Sequence, residues 1–276
     1  MIFYFQLINE SVKIVTVILL FLMVGCKDFQ KNDRSTSPSE KSTQELNAEN
    51  THSIVNEAIK AHGGILYNSA YYQFVFRGKT YTFNNKEGYT YTVEAKDSVG
   101  NHIVDSLLNG NFKRYVNGVK IDLSDKDVAK YSNALNSVIY FATLPYKLND
   151  AAVQKEYVGE TTIKGEDYDV IKVTFGKERG GTDFDDIFMY WINKKSHYIN
   201  FLAYSYNVND GGVRFRSAYN PRTIDGIRFQ DYINWEAPVG TPLEQLPSMF
   251  EKGQLKELSR IETEDVQNLG HIDVEE

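Results

Sequence analysis

The strongest constraint on this chain is a succession of aromatic and β-branched runs, each closed by residues that turn the backbone on itself. From Ala70 onward they read AYYQFVFRGKTYTF, GYTYTVEAKD, NFKRYVNGVKI, EYVGETTIKG, YDVIKVTF, DIFMYWINKKSHYINFLAYSY, GVRFRSAYN and GIRFQDYINW. Such runs read as strands whose side chains alternate between two faces. Asn84-Asn85, Asn117-Gly118, Asn209-Asp210-Gly211-Gly212 and Asp225-Gly226 lie at the junctions. These residues supply the positive φ angles of tight hairpins, so the strand order is mostly antiparallel and meandering. The expected fold class is mainly β (α+β): a large curved antiparallel sheet or unclosed β-barrel with helices covering one side.

Two segments break the pattern. Ile54, Val55, Ala58 and Ile59 recur at helical spacing, and His62-Gly63-Gly64 closes that helix with residues suited to a left-handed cap. Ser124 and Asp127 form a capping-box-like start, after which Val128, Tyr131, Leu135, Val138, Ile139 and Ala142 share one stripe up to Pro145. The only large apolar partner for that stripe is the sheet. Pro242 to Ile261 is mixed, with Pro247 limiting any long helix, and residues after Asp265 read as frayed. With no fixed-period repeat, 51–262 reads as one β-rich domain and 263–276 as a tail.

Composition narrows the function classes. The 276 residues carry 37 acidic against 30 basic side chains, a net charge of −7, which disfavours a nucleic-acid partner. A single cysteine removes any intramolecular disulfide framework or multi-cysteine metal site, and oligomeric state is not encoded in any motif.

That cysteine has another use. Ile14 to Val24 (IVTVILLFLMV) is an uncharged run preceded by Lys13 and closed by Gly25-Cys26. It has the length of a secretory h-region and is too short for a bilayer span. Glu10 in the apolar stretch before Lys13 is unusual for a signal peptide, so the sequence leaves open a start at Met1 or one nearer Lys13. Leu22-Met23-Val24-Gly25-Cys26 resembles the lipobox of bacterial lipoproteins, although Met23 stands where Leu is usual. The resemblance implies a signal peptide over 1–25 and lipidation of Cys26. Lys27 to Asn50 has few apolar side chains, so 26–50 reads as a flexible tether. Lys27-Asp28 has the form of a sorting signal, and also that of an ordinary tether pair.

The lipobox, the His62-Gly63-Gly64 helix end, FVFRGKTYTF, NSVIYFATLPYKLND, GGTDFDD and GGVRFR together resemble a lipoprotein family of Gram-negative bacteria to which no activity is assigned. The strand order, WINKKSHYIN and IDGIRFQDYINW resemble the lipoprotein carrier and receptor (LolA/LolB-like) fold. That likeness implies an unclosed β-barrel capped by helices with an apolar interior for acyl chains.

Motifs for chemistry are sparse: there is no GxSxG elbow, HExxH, glycine-rich phosphate loop or CxxC, and the five histidines are scattered. Nothing singles out a catalytic residue, and catalysis is the less favoured reading. In the loop after Glu178, Asp183, Asp185 and Asp186 offer hard oxygen ligands that suit Ca²⁺. A solvated hairpin with aspartate turns has the same sequence. Phe74, Phe76, Tyr190 and Trp191 are candidate lining residues of a ligand cavity, and Arg77, Arg214 and Arg216 are candidate partners for an acidic headgroup. Core filling and ordinary strand charges account for the same residues.

The expected function is a lipoprotein, held in the cell envelope and most readily at the outer membrane, that binds a lipid or other hydrophobic ligand within the sheet. Its partners would be the membrane and that ligand. The alternatives are a surface interaction or glycan-binding lipoprotein without a cavity, and an enzyme of unrecognised type. A lipoprotein-type anchor with two or more acyl chains holds firmly where one chain does not. Cys26→Ser is therefore expected to move the protein from the membrane pellet to the soluble fraction on cell fractionation. A variant that stays in the pellet after a carbonate wash would refute lipidation.

Overall fold

In the computed structural model, which describes residues 43–176, 186–207 and 210–270, turn residues set the topology. Five two-residue hairpins among the described residues have both central residues at positive φ: Arg77-Gly78, Asn109-Gly110, Asn117-Gly118, Lys164-Gly165 and Asp225-Gly226. Primed turns of this kind match the right-handed twist of the strands they join. They divide the chain into two antiparallel meanders.

The first runs through β1 (Tyr71–Phe76), β2 (Lys79–Asn84), β3 (Thr90–Lys96), β4 (His102–Leu108), β5 (Asn111–Val116) and β6 (Val119–Ile121). The second runs through β7 (Val153–Ile163), β8 (Glu166–Phe175), β9 (Ile187–Asn193), β10 (Ile199–Tyr206), β11 (Gly212–Ile224), β12 (Ile227–Ala237) and β13 (Lys256–Ile261). A last strand, β14 (Glu264–Asn268), leaves the second sheet and pairs antiparallel with β1. Each sheet thus has seven strands, in the orders β14-β1-β2-β3-β4-β5-β6 and β13-β12-β11-β10-β9-β8-β7. Neither closes on itself, so the fold is mainly β and open.

Several expectations change. FVFRGKTYTF is a hairpin rather than one strand, because Arg77-Gly78 turns between Phe76 and its partner Lys79. The strand β4 (HIVDSLL) lacks the aromatic signature and escaped the sequence reading, as did β13 and β14, which are mostly polar. Residues 264–268 are therefore a paired strand and not a frayed tail. The leading helix α1 spans Thr43–Ala61, so the tether expected over 26–50 ends in helix from residue 43. Residues 47–50 are exposed there, and helix-forming residues such as Ala48 extend a helix whose later turns are packed. Signal peptide, Cys26 and the rest of the tether lie outside the described residues. Among the described residues no helix is long and apolar enough to cross a membrane.

The second sheet is buried on both faces. Ile171, Tyr190, Ile192 and Leu202 on one face pack with Val55 and Ala58 of α1 and with Leu144 and Leu148. Met189, Trp191, Phe201 and Phe215 on the other pack with Leu243 and Leu246, where the short α3 (Leu246–Glu251) begins, and with Phe250. Helical segments thus pack on both faces of this sheet. The first sheet packs Phe74, Phe83, Tyr91 and Leu107 against Leu135 and Ile139 of α2 (Asp125–Ala142), whose start is capped by the Ser124 hydroxyl accepting from the Asp127 amide. Arg114 fastens α2 further: it grips Asp105 with two bonds of 2.6 and 2.7 Å and stacks 3.5 Å over the Tyr131 ring.

The junction of the sheets rests on a buried carboxylate. Asp231 on β12 is 3% exposed and accepts from Arg222 at 3.1 Å, from Asn220 at 2.7 Å and from the Thr263 amide at 3.0 Å. Arg222 also donates to the Thr263 carbonyl and hydroxyl. Thr263 lies in the link between β13 and β14, so this cluster fixes the corner where the chain changes sheets. Removing one member of a buried pair leaves the other uncompensated. Asp231→Ala is expected to lower stability by about 2–4 kcal/mol, below the full range for buried pairs because Arg222 is partly exposed. Urea unfolding monitored by tryptophan fluorescence reads this, and a loss under about 0.5 kcal/mol, the size of an ordinary surface change, would reject the role.

A second buried group fixes where α1 ends. His62 is 1% exposed, and its Nδ1 lies 2.8 Å from the Ala58 carbonyl, which can only accept, so Nδ1 carries the proton. Gly63 follows at φ 137°, where an added Cβ would lie 3.1 Å from the Ile227 side chain. Burial lowers the His62 pKa to about 4, with the nearby Arg228 acting in the same direction. The unfolded chain takes up a proton near pH 6.5 that the folded chain refuses, so stability is full above that pH and falls as pH drops toward 4. The expected loss is about 3 kcal/mol. Denaturation of wild type and His62→Gln at pH 7.5 and 4 should show the wild type losing more by that amount, and parallel losses would contradict the assignment.

Candidate functional site

Between the two sheets, walled on a third side by the C-terminal half of α2, lies a cavity of about 400 Å³. Its position follows from the strand pattern. On β9, β10 and β12 the alternate residues Phe188, Tyr204 and Tyr232 point to the face that carries the apolar layer under α1. Beyond that layer the sheet is met by Phe74 and Phe76 of β1 and by Val138, Phe141 and Ala142 of α2. Phe188 stacks on Tyr204 with ring centroids 5.5 Å apart, and Phe141 meets both at 6.3 and 5.9 Å. Aromatic rings thus make up seven of the seventeen lining residues.

Polar groups enter at a few points. Arg216, 8% exposed, crosses the face of Phe141 with its guanidinium 4.3 Å from the ring centroid and donates from Nη2 to the Tyr204 phenol at 2.9 Å. Asn234, its register partner on β12, also lines the cavity. Gln230 donates to the Tyr232 phenol at 2.7 Å, and the Tyr140 and Tyr190 phenols lie 3.1 Å apart deeper in the wall. Burial pushes the pKa of Tyr190, Tyr140 and Tyr232 upward, so these phenols are neutral hydrogen-bonding groups. Ser137 and Thr263 bring hydroxyls, and no histidine is among the lining residues. The arrangement is built to enclose an apolar body and to meet a small number of polar atoms.

The candidate ligand residues divide. Phe74, Phe76, Arg77 and Arg216 all line this cavity, Arg77 from the β1–β2 turn at φ 50°, with its guanidinium 5.1 Å from the Phe76 ring. Tyr190 faces the same side but is fully buried beneath the lining layer. Trp191 is the correction. As the next residue along β9 it points to the opposite face, where it packs on Phe215 at 5.6 Å. Two successive strand residues cannot line one cavity. Arg214 shares the cavity face, but its guanidinium is engaged by Glu236 at 3.4 Å and the Tyr206 phenol at 2.9 Å.

Of the acidic loop, Asp183 and Asp185 lie outside the described residues, and Asp186 lines the cavity at the entry to β9. Among the described residues no three His, Cys, Asp or Glu side chains are grouped to hold a metal ion. Sequence reasoning missed Phe141, Phe188, Tyr204, Tyr232 and Asn234. Phe141 is three residues after Val138 on α2, and that spacing was the available signal. A second hollow of about 630 Å³ lies on the other face of the second sheet, where Lys164, Glu166, Asn200 and Arg228 alternate with Tyr168, Trp235 and Phe250. Phe250 of α3 forms one of its walls, and Arg228 lies over the Tyr198 ring at 3.8 Å from the centroid.

Comparison with known proteins gives no match among curated sequences. Among solved structures the chain is similar to a LolA superfamily protein from Nitrosomonas europaea, at 12% identity and a TM-score of 0.44, covering 79% of this chain and 93% of that one. It is also similar to a DUF1329 family protein from Desulfovibrio piger, at 12% identity and a TM-score of 0.43, with 82% and 94% covered. The functional reading below rests on the chain's own cavity. Residues 68–263 match the model of a family of unknown function, DUF6503, and the chain belongs to that family.

Proposed function

We propose that this protein is a lipid-anchored lipoprotein of the cell envelope, at the outer membrane, that holds a lipid or other hydrophobic ligand between its two sheets. The carrying observation is the aromatic cavity of about 400 Å³, walled by both sheets and α2. Pockets for small molecules have this size, and here aromatic and aliphatic side chains outnumber the polar ones. Each methylene moved into such a space from water contributes about 0.8 kcal/mol, so even a short acyl segment is held well. In this reading no residue does covalent chemistry, and the protein's work is to shield an apolar body from water.

Native mass spectrometry and lipid extraction on the full chain, released from membranes in mild detergent, test the reading. A co-purifying acyl or other apolar species is the expected result. Ser137→Trp, which places a large ring on the α2 wall, is expected to lower occupancy at least about tenfold, the cost of displacing roughly two buried methylenes. A wild-type chain that carries nothing after extraction from its native membrane, or a Trp variant as fully loaded as wild type, would overturn the proposal.

A further inference from the structure

The cavity holds a charge that the protein does not neutralise. The Arg216 guanidinium is buried, yet none of the ion pairs formed by arginines among the described residues involves it. Its Nε is buried without a hydrogen-bond partner. One bond to Tyr204 and the faces of Phe141 and Tyr204 compensate only part of the lost hydration. The neighbouring strand repeats the pattern. Asn234 sits in register with Arg216, its Oδ1 is buried without a partner, and its Nδ2 reaches Ser259 only at 3.4 Å. Turning the amide over would let the Ser259 hydroxyl donate to Oδ1 and leave Nδ2 as a buried donor without a partner, since the two orientations differ only in hydrogen bonding.

The carboxylate that lines the same cavity stands elsewhere. Arg216 shares a row with Leu202 and Tyr190, whereas Asp186 lies four residues before Tyr190, just ahead of β9, or ~13 Å by strand rise. Asp186 has an interaction of its own. Arg77 adds a second cation at the β1–β2 turn, and the aromatic walls lie between the two. A buried guanidinium with free donors, beside an amide and within an apolar chamber, is complementary to one kind of molecule: an apolar chain ending in a planar or tetrahedral anion.

We propose that the cavity selects a single-chain amphiphile with an acidic headgroup, carboxylate or phosphate, whose anion docks on Arg216 and Asn234 while its chain lies against Phe74, Phe141 and Phe188. This rests on the cavity reading above and adds the class of ligand. The headgroup is held inside and the chain fills the apolar space, so both ends contribute to affinity.

The test uses the full chain in nanodiscs of zwitterionic lipid and four photoactivatable alkyl probes of equal length, ending in carboxylate, phosphate, methyl ester or trimethylammonium. The two acids are expected to crosslink to the cavity walls at least about tenfold more than the ester, the effect of one charge-assisted hydrogen bond. Arg216→Gln is expected to level the four probes. Arg216→Lys keeps a charge without the fork and is expected to retain part of the preference, and it stands in if the Gln variant fails to fold, as judged by thermal unfolding. Equal labelling by acid and ester in wild type overturns the acid selection while leaving the cavity reading intact. Absence of crosslinks from every probe overturns the cavity reading itself. Displacement of the acid probe by acetate or inorganic phosphate at equal concentration would assign the site to a free anion and overturn the amphiphile.

Discussion

The buried carboxylate of Asp231 fixes the corner at which the chain passes from one sheet to the other. Meanders held only by local turns could each form their own ladder without reference to the other. The five bonds that Asp231 receives from Arg222, Asn220 and Thr263 fasten the point where the chain stops extending the second sheet and begins to complete the first. Only then can β14 reach β1, nearly 200 residues earlier in the chain, and close the first sheet's edge. Ile261 and Thr263, on either side of that corner, line the cavity. The interaction that joins the sheets therefore also shapes the space between them.

The same dependence explains which parts of the fold were legible. Strands with aromatic alternation and turns with Asn-Gly or Asp-Gly can be recognised locally, since each carries its own steric reason. Arg77-Gly78 and Lys164-Gly165 adopt the same turn with a first residue that rarely takes positive φ, so the local signal was absent and one hairpin read as one strand. The strands β13 and β14 were not legible at all. Their burial is slight, as in KELSRI, and they form because Thr263 is held by a group more than thirty residues away. The helix α1 begins early for the opposite reason: residues 47–50 are exposed and carry no apolar stripe, and the packed turns behind them hold the helix in place.

At the site, residue type was legible and direction was not. Phe74, Phe76, Arg77 and Arg216 do converge, from strands that sequence alone placed in separate runs. Tyr190 and Trp191 could not both converge, because adjacent strand residues face opposite ways, and a sheet buried on both faces removes the polar alternation that would have said which. Arg214 and Arg216 look alike in sequence. Register separates them: Arg214 falls opposite Glu236 and is paired, while Arg216 falls opposite Asn234 and is not.

The open edges of the two sheets bear on capacity. In a closed barrel the lumen is set by strand number and shear, and it cannot widen without breaking ladder bonds. Here the first sheet ends at β6 and the second at β7, with α2 bridging them in the chain and one polar corner joining them on the far side. The sheets also meet through Tyr72 and Phe74 packed on Ile227 and Phe229, so their separation is set by packed side chains as well as by that corner. The space between the sheets is thus bounded by side-chain packing of α2 and by the corner at Asp231, not by a closed ladder.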